Sequence, residues 1–188
     1  MSTYWTSLTF KNAPRRKKHR RGSKGVTLVE LIVCISMLAI LTGLAIPSFS
    51  NLQSDWRRDS AVRDFMGDLQ LGRSTALRTS RTVVMCATPD GVACANGAAS
   101  SDWRQGWIVF SDLDGNGALG NAEPVVVLRG PPMGLQQMHS NIPAGQIEFR
   151  PNGLLRRGNA TVNVLAEGAG AQREVNIRIN TTGRVFLL

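Results

Sequence analysis

From Val26 to Ile46 the chain is apolar or small at every position but a few, and only Glu30 carries a charge. The run is 21 residues long, enough to cross a bilayer as a helix. After Pro47 the pattern changes. Leu52, Trp56, Val62, Phe65, Met66, Leu69, Ala76 and Leu77 recur near helical spacing, and Arg57, Arg58, Asp59, Arg63, Asp64, Asp68 and Arg73 fill much of the rest. This predicts an amphipathic helix over 47–80 with its apolar stripe in a core, continuous with the span and bent at Pro47. Together the two parts cover 55 residues, roughly 80 Å at about 1.5 Å per residue. No small domain needs such a helix for its own core, so half of it should project. From residue 81 the period shortens to that of strands. The runs are RTVVMCA, QGWIVFSD, PVVVLRG, GQIEFRP, ATVNVLAEG, EVNIRIN and RVFLL, with turn-rich stretches between them. In VNIRIN the alternation places Asn176, Arg178 and Asn180 on one face, and TTG before the last run reads as a hairpin loop. One long helix followed by seven short antiparallel strands is an α+β architecture.

Charge sharpens this division. The net charge is +9, which alone invites a nucleic-acid reading. Eight of the 22 basic residues lie within 1–25 without one acid, so the rest of the chain is nearly neutral. A basic stretch before an apolar run fits a secretory signal peptide, but the run is longer than the 7–15 residues of a signal core. Pro47 and Phe49 follow it in place of a small-x-small cleavage site. A plain signal anchor explains the length and the cytoplasmic positive charge. It leaves Glu30 unexplained, because a lone carboxylate in hydrocarbon is costly and needs a partner.

Gly25 followed by Val26-Thr27-Leu28-Val29-Glu30-Leu31 resembles the type III signal of type IV pilins and pseudopilins. The resemblance implies cleavage between Gly25 and Val26 by a prepilin peptidase, removal of a 1–25 leader, and methylation of the new amine. Phe is the usual first mature residue in that pattern, and Val26 stands in its place. In a packed filament Glu30 would then meet the Val26 ammonium of a neighbour, so that two charges costly alone become a pair. Further along, VVMCATPDGVAC, DWRQGWIVFSDLDGNG, EFRPNG and TTGRVFLL resemble the GspH/FimT family of minor pilins and minor pseudopilins. That resemblance implies a long helix, membrane-spanning over 26–46 and amphipathic over 47–80, packed on a β-rich headgroup over 81–188. It implies a single-pass protein of the bacterial inner membrane with a periplasmic headgroup. Its partners would be other pilins or pseudopilins, the peptidase and the inner-membrane assembly platform. The implied function is a minor pilin that helps initiate or prime a type IV pilus. The alternatives are the H-type pseudopilin of a type II secretion system and a pilus-borne subunit for DNA uptake.

Candidate chemistry is sparse. His19 and His139 lie in no nucleophile or metal motif, and no Walker loop or dinucleotide fingerprint occurs, so the chain reads as a non-enzyme. Cys34 lies in the apolar run as a small apolar residue. Cys86 and Cys94 flank the turn-like ATPDGVA; they are either free thiols or a disulfide, and export to an oxidising periplasm favours the disulfide. DLDGNGALGNAE, 112–123, fits a calcium-loop spacing. Asp112, Asp114, Asn116, the Ala118 carbonyl and Glu123 would be the ligands, and Gly117 the turn. Strands rather than helices flank it, and Asp, Asn and Gly also serve plain turns. The default reading is therefore no cofactor, with Ca2+ as the alternative. Residues 82–123 carry a net −4 and residues 124–188 a net +4. Arg156, Arg157, Arg178 and Arg184 are candidates for phosphate contact, the alternative being scattered solvated charge. The resemblance implies DNA contact through a C-terminal Gly-Arg-x-Arg motif, of which Gly183 and Arg184 are present and Phe186 replaces the second Arg.

Overall fold

The computed structural model describes residues 25–142, 145–168 and 174–188; residues 44–48 and 50 are described by backbone alone. The leader therefore lies outside the described residues, apart from Gly25, whereas the backbone at Pro47 is described and stays helical. The helix α1 runs from Leu28 to Thr79. Thr27 caps its start: the Thr27 Oγ1 accepts from the Glu30 amide at 3.2 Å, and its carbonyl accepts from the Leu31 amide at 3.1 Å. Such a cap satisfies amides that the first turn leaves without partners, and an acidic residue there complements the helix dipole. Ser80 ends the helix in the left-handed region at φ 52°, the usual way to turn a chain out of a helix.

The chain divides into two units, 1–42 and 43–188. In the first, every described residue is exposed, among them Leu28, Ile32, Ile35 and Leu38. Among the described residues no helix is long and apolar enough to cross a membrane; the expected span, 26–46, ends in residues described by backbone alone.

The second unit holds the core. Strands β1 (Thr82–Ala87), β2 (Trp107–Asp112), β3 (Val125–Arg129) and β5 (Gln146–Phe149) form one antiparallel sheet in the order β3-β2-β1-β5. Strands β4 (Leu135–Ser140), β6 (Ala160–Ala166), β7 (Val175–Ile179) and β8 (Val185–Leu187) form a second, in the order β4-β6-β7-β8. Ala61, Val62, Phe65, Leu69 and Ala76 of α1 pack with the inner faces of both sheets. Phe65 stands edge-on to Trp103 and Trp107, with centroids at 5.0 and 5.2 Å. A smaller apolar cluster, Val84, Cys86, Ile108 and Phe110, lies on the other face of the first sheet, covered by Cys94 and Leu119.

Two expectations need correcting. The helical stripe does not enter the core along its whole length: Leu52, Trp56 and Leu77 are exposed, whereas the polar Arg58 and Asp68 are buried. Asp68 is buried because it is paired across the core. Its carboxylate accepts from the Trp107 indole N–H at 2.9 Å and from Arg129 Nε at 2.8 Å, which ties α1 to β2 and β3. The strand β4 lies between the expected runs PVVVLRG and GQIEFRP, in a stretch whose pattern predicts none. Its sequence LQQMHS buries only Leu135 and Met138, and a register shift between Leu135 and Gln137 breaks the alternation. The expected hairpin at TTG is present as the β7–β8 connection.

Candidate functional site

Gly25 and Val26 precede the cap, exposed, at the start of the helical segment. Glu30 is exposed one turn further on, and among the described residues it has no ion-pair partner. Thr27-x-x-Glu30 is also the spacing of a capping box, so local helix chemistry accounts for an acid at this position. It does not account for the apolar exposed surface around it. Such a surface on a helix without a core of its own calls for lipid or other helices.

Cys86 and Cys94 form a disulfide with Cα atoms 5.6 Å apart. The enclosed loop has further ties. Thr88 Oγ1 donates to the Ala93 carbonyl at 2.7 Å, and Asp90 Oδ1 accepts from the Val92 and Ala93 amides. Those two amides hold the Asp90 carboxyl below its ordinary value. Replacing both cysteines with Ala should cost about 2.5 kcal/mol on the loop-entropy estimate for so short a loop. Urea unfolding of residues 51–188 reads it, and an unchanged midpoint would count against a stabilising bridge.

The carboxylates of Asp112, Asp114 and Glu123 converge, with one oxygen of each within 4.8 Å of the others. Each of the six oxygens already accepts an N–H. Gly115 and Gly117 donate to Asp112, Leu113 and Gly120 to Glu123, and the Asn116 amide and side chain to Asp114. Asn116 Oδ1 accepts from the Ala118 amide. The Gly117 carbonyl takes the Gln146 side-chain amide. Burial, followed in part by the nearby Glu123 and Asp114 charges, pushes the Asp112 carboxyl up against its two backbone bonds. The donor set fits a cation in type and spacing, and the loop also closes on itself by these bonds.

The four arginines do not come together. Arg156 and Arg157 lean on the buried Glu148, at 3.1 and 3.5 Å. Arg178 lies opposite Phe186 in the β7–β8 register, and the Arg184 guanidinium stacks over the Phe186 ring at 5.6 Å. Gly183 has a structural duty. Its φ is 72°, and a Cβ there would lie 2.6 Å from the Gly153 carbonyl oxygen. Asn180 closes the same turn by accepting from the Arg184 amide at 2.9 Å.

Asp102 pairs with Arg104 at 2.7 Å, and Arg104 also donates to the Gln136 carbonyl of β4. The Arg104 hydrogen bond, against some desolvation, lowers the Asp102 carboxyl below its ordinary 3.8. A folded value below the unfolded one means the unfolded chain takes up the proton first as pH falls. The contribution is thus full above about pH 4 and is lost as pH drops through the folded value. Arg104 is partly exposed, so the gain is about 1 kcal/mol at most. Asp102→Asn should flatten the loss of stability below that pH, read as thermal midpoints across an acid series. An unchanged acid slope would show the pair to be idle.

Comparison with known proteins gives the same placement. The model of the family described as type II transport protein GspH matches residues 61–183, and the prokaryotic N-terminal methylation motif matches residues 20–46. No curated protein matches the sequence. Among solved structures, the type IV minor pilin FimU of Pseudomonas aeruginosa is similar. It is 19% identical with a TM-score of 0.54, over 69% of this chain and 87% of that one. The minor pseudopilin EpsH from the type 2 secretion system of Vibrio cholerae is also similar. It is 13% identical with a TM-score of 0.51, over 70% of this chain and 96% of that one. At these identities the likeness shows the fold: a helix packed on antiparallel sheets.

Proposed function

The chain belongs to the GspH family of minor pilins and pseudopilins, and on that premise we propose that it is a minor pilin that helps prime a type IV pilus. The observation that carries this is the N-terminal one. A methylation motif, an exposed apolar stretch of helix before residue 44 whose single carboxylate is Glu30, and a headgroup with its own core stand in one chain. The family's members are structural subunits rather than enzymes. In this reading the peptidase removes 1–25 at the inner membrane, and the 26–46 segment anchors the subunit there. The headgroup waits in the periplasm, where the Cys86–Cys94 bridge is stable, until the assembly platform draws it in beside other pilins.

Mass spectrometry of the membrane fraction should find Val26 at the N-terminus with one added methyl. Gly25→Trp should leave the leader in place. An intact leader in cells with active peptidase would refute the reading. The H-type pseudopilin is the alternative: deletion of the gene should remove surface pili and leave protein secretion intact, and the reverse result assigns the pseudopilin.

Contact with DNA is supported locally by Arg178, Phe186 and Arg184, since guanidinium and aromatic faces together suit single strands. The whole of 51–188 carries 14 Arg against 12 acids, however, and Arg156 and Arg157 lean on Glu148. Binding should therefore be weak at physiological salt and weaker still in Arg184→Gln, read by fluorescence titration. The 112–123 loop we infer to be a self-closed turn. A melting midpoint that rises with calcium, and no longer does so in Asp114→Asn, would make it a cation site.

A further inference from the structure

Each sheet ends on one side in an apolar strand with an open edge. Among the described residues, β3 in the first sheet pairs with β2 alone, and β8 in the second pairs with β7 alone. A strand edge without a partner presents unpaired N–H and C=O groups, and proteins usually blunt it with charge or Pro. Here β3 reads VVVLR, apolar until Arg129 at its end, and β8 reads VFL with no charge or Pro.

The two edges differ in shape and sign. On β3 the register shift opposite Val109 and Phe110 sets Val125 beside Phe110 and Leu128 beside Ile108. Both are therefore on the outer face, next to the smaller apolar cluster, and they are 48% and 56% exposed. The end of β2 and the loop that enters β3 carry the acids Asp112, Asp114 and Glu123, and residues 82–123 as a whole are net −4. On β8 the inward side chains Val185 and Leu187 lie opposite Ile179 and Ile177. Leu187 is nonetheless 53% exposed, because nothing described covers the edge. Beside it a groove of about 700 Å³ separates the start of β8 from α1. Its walls include Leu71, Leu77, Arg73 and Arg184, and no acid.

We propose that these edges pair with each other between two copies of this chain, head to tail. The β3 of one copy lies parallel to β8 of the next, so that Arg184 meets the acidic entry to β3. Val125 and Leu128 of the incoming strand enter the groove against Leu71, Leu77 and Leu187, and the two sheets become one. Antiparallel addition would instead set Arg184 beside Arg129. A contact between two different patches is heterologous: it closes into a ring if its rotation closes and otherwise propagates along a line of subunits, and subunits held side by side in one array call for the line. One strand pair and a shallow groove make a small interface, suited to subunits already held side by side. The inference rests on the two edges and their charges, and it stands whether the machine is a pilus or a secretion system.

Cysteine cross-linking of the soluble fragment 51–188 tests it. The fragment keeps every core residue, Ala61 to Ile179, and omits the free Cys34. A variant with both Leu128→Cys and Leu187→Cys, mildly oxidised at high protein concentration, should give a ladder of covalent oligomers. Each single variant should give several-fold less product and nothing beyond dimer. Adding Val125→Lys or Arg184→Glu to the double variant should reduce the ladder several-fold, and so should high salt. Three results would overturn the proposal: no ladder, a ladder indifferent to those changes, or dimers from one single variant as abundant as the ladder.

Discussion

Glu30→Leu is expected to leave the subunit in the membrane and to keep it out of filaments. Insertion should be unharmed, since the change removes the only charge from an apolar helical run and a carboxylate there costs a few kcal/mol. The helix start should hold too, because the Thr27 hydroxyl accepts from the backbone amide of residue 30 and not from its side chain. Assembly is where the loss falls. On the proposed reading, processing would create an ammonium at Val26, and among packed helices a neighbour's Glu30 is the partner proposed for it. Removing one partner of a buried pair costs about 3–5 kcal/mol, or a factor of some hundreds to thousands in the assembly equilibrium. Glu30→Gln keeps the shape and should fail nearly as badly, which separates charge from packing. Comparing the subunit in membranes with the subunit in sheared filaments reads both steps. Normal incorporation of either variant would end the pairing role.

How much of this was legible in the sequence depends on which physical rule wrote each segment. The helix was legible because 3.6-residue spacing persists through Val62, Phe65, Leu69 and Ala76, all of them buried. Strands β6 and β7 were legible because their residues alternate buried and part-exposed, Ile177 and Ile179 in and Arg178 out. The missed strand β4 has its period interrupted by a register shift, so Leu135 and Met138 fall on the core three residues apart and read as noise. Trp56 and Leu52 misled in the opposite sense, since helical spacing reports a face and not what covers it. Asp68 stands among the polar positions of the helix and is nonetheless only 4% exposed. Its partners, Trp107 and Arg129, are 39 and 61 residues away, and no local pattern announces a pair at that distance. At the candidate site the processing motif and the cysteine pair are local in sequence and could be read there. The stacking of Arg184 on Phe186, and the use of Arg156 and Arg157 on Glu148, are as close in sequence, but they depend on where each side chain turns out of its strand or turn, which spacing does not give.

Phe65→Ala should be the most destabilising single change in the headgroup. The ring is fully buried on the α1 face between Trp103 and Trp107, and it meets both indoles edge-on. Trp107 belongs to β2, and Trp103 precedes it in a short 3-10 turn that leads to that strand. The ring therefore holds the helix against the segment from which β2 starts. Truncating a buried Phe costs about 3–5 kcal/mol through lost transfer energy and the cavity left behind, and each edge-on pair adds to the upper part of that range. Against a total of about 5–15 kcal/mol for a domain this is a large share. The midpoint of thermal unfolding of 51–188 should fall by roughly 10–20 °C. Phe65→Leu, which refills part of the space, should lose less than half as much. Both variants should also change the indole emission, because the edge contacts at 5.0 and 5.2 Å disappear. A Phe65→Ala headgroup that melts within a few degrees of the parent would show that α1 is held to the sheets by the Asp68–Arg129 and Asp68–Trp107 bonds rather than by this ring.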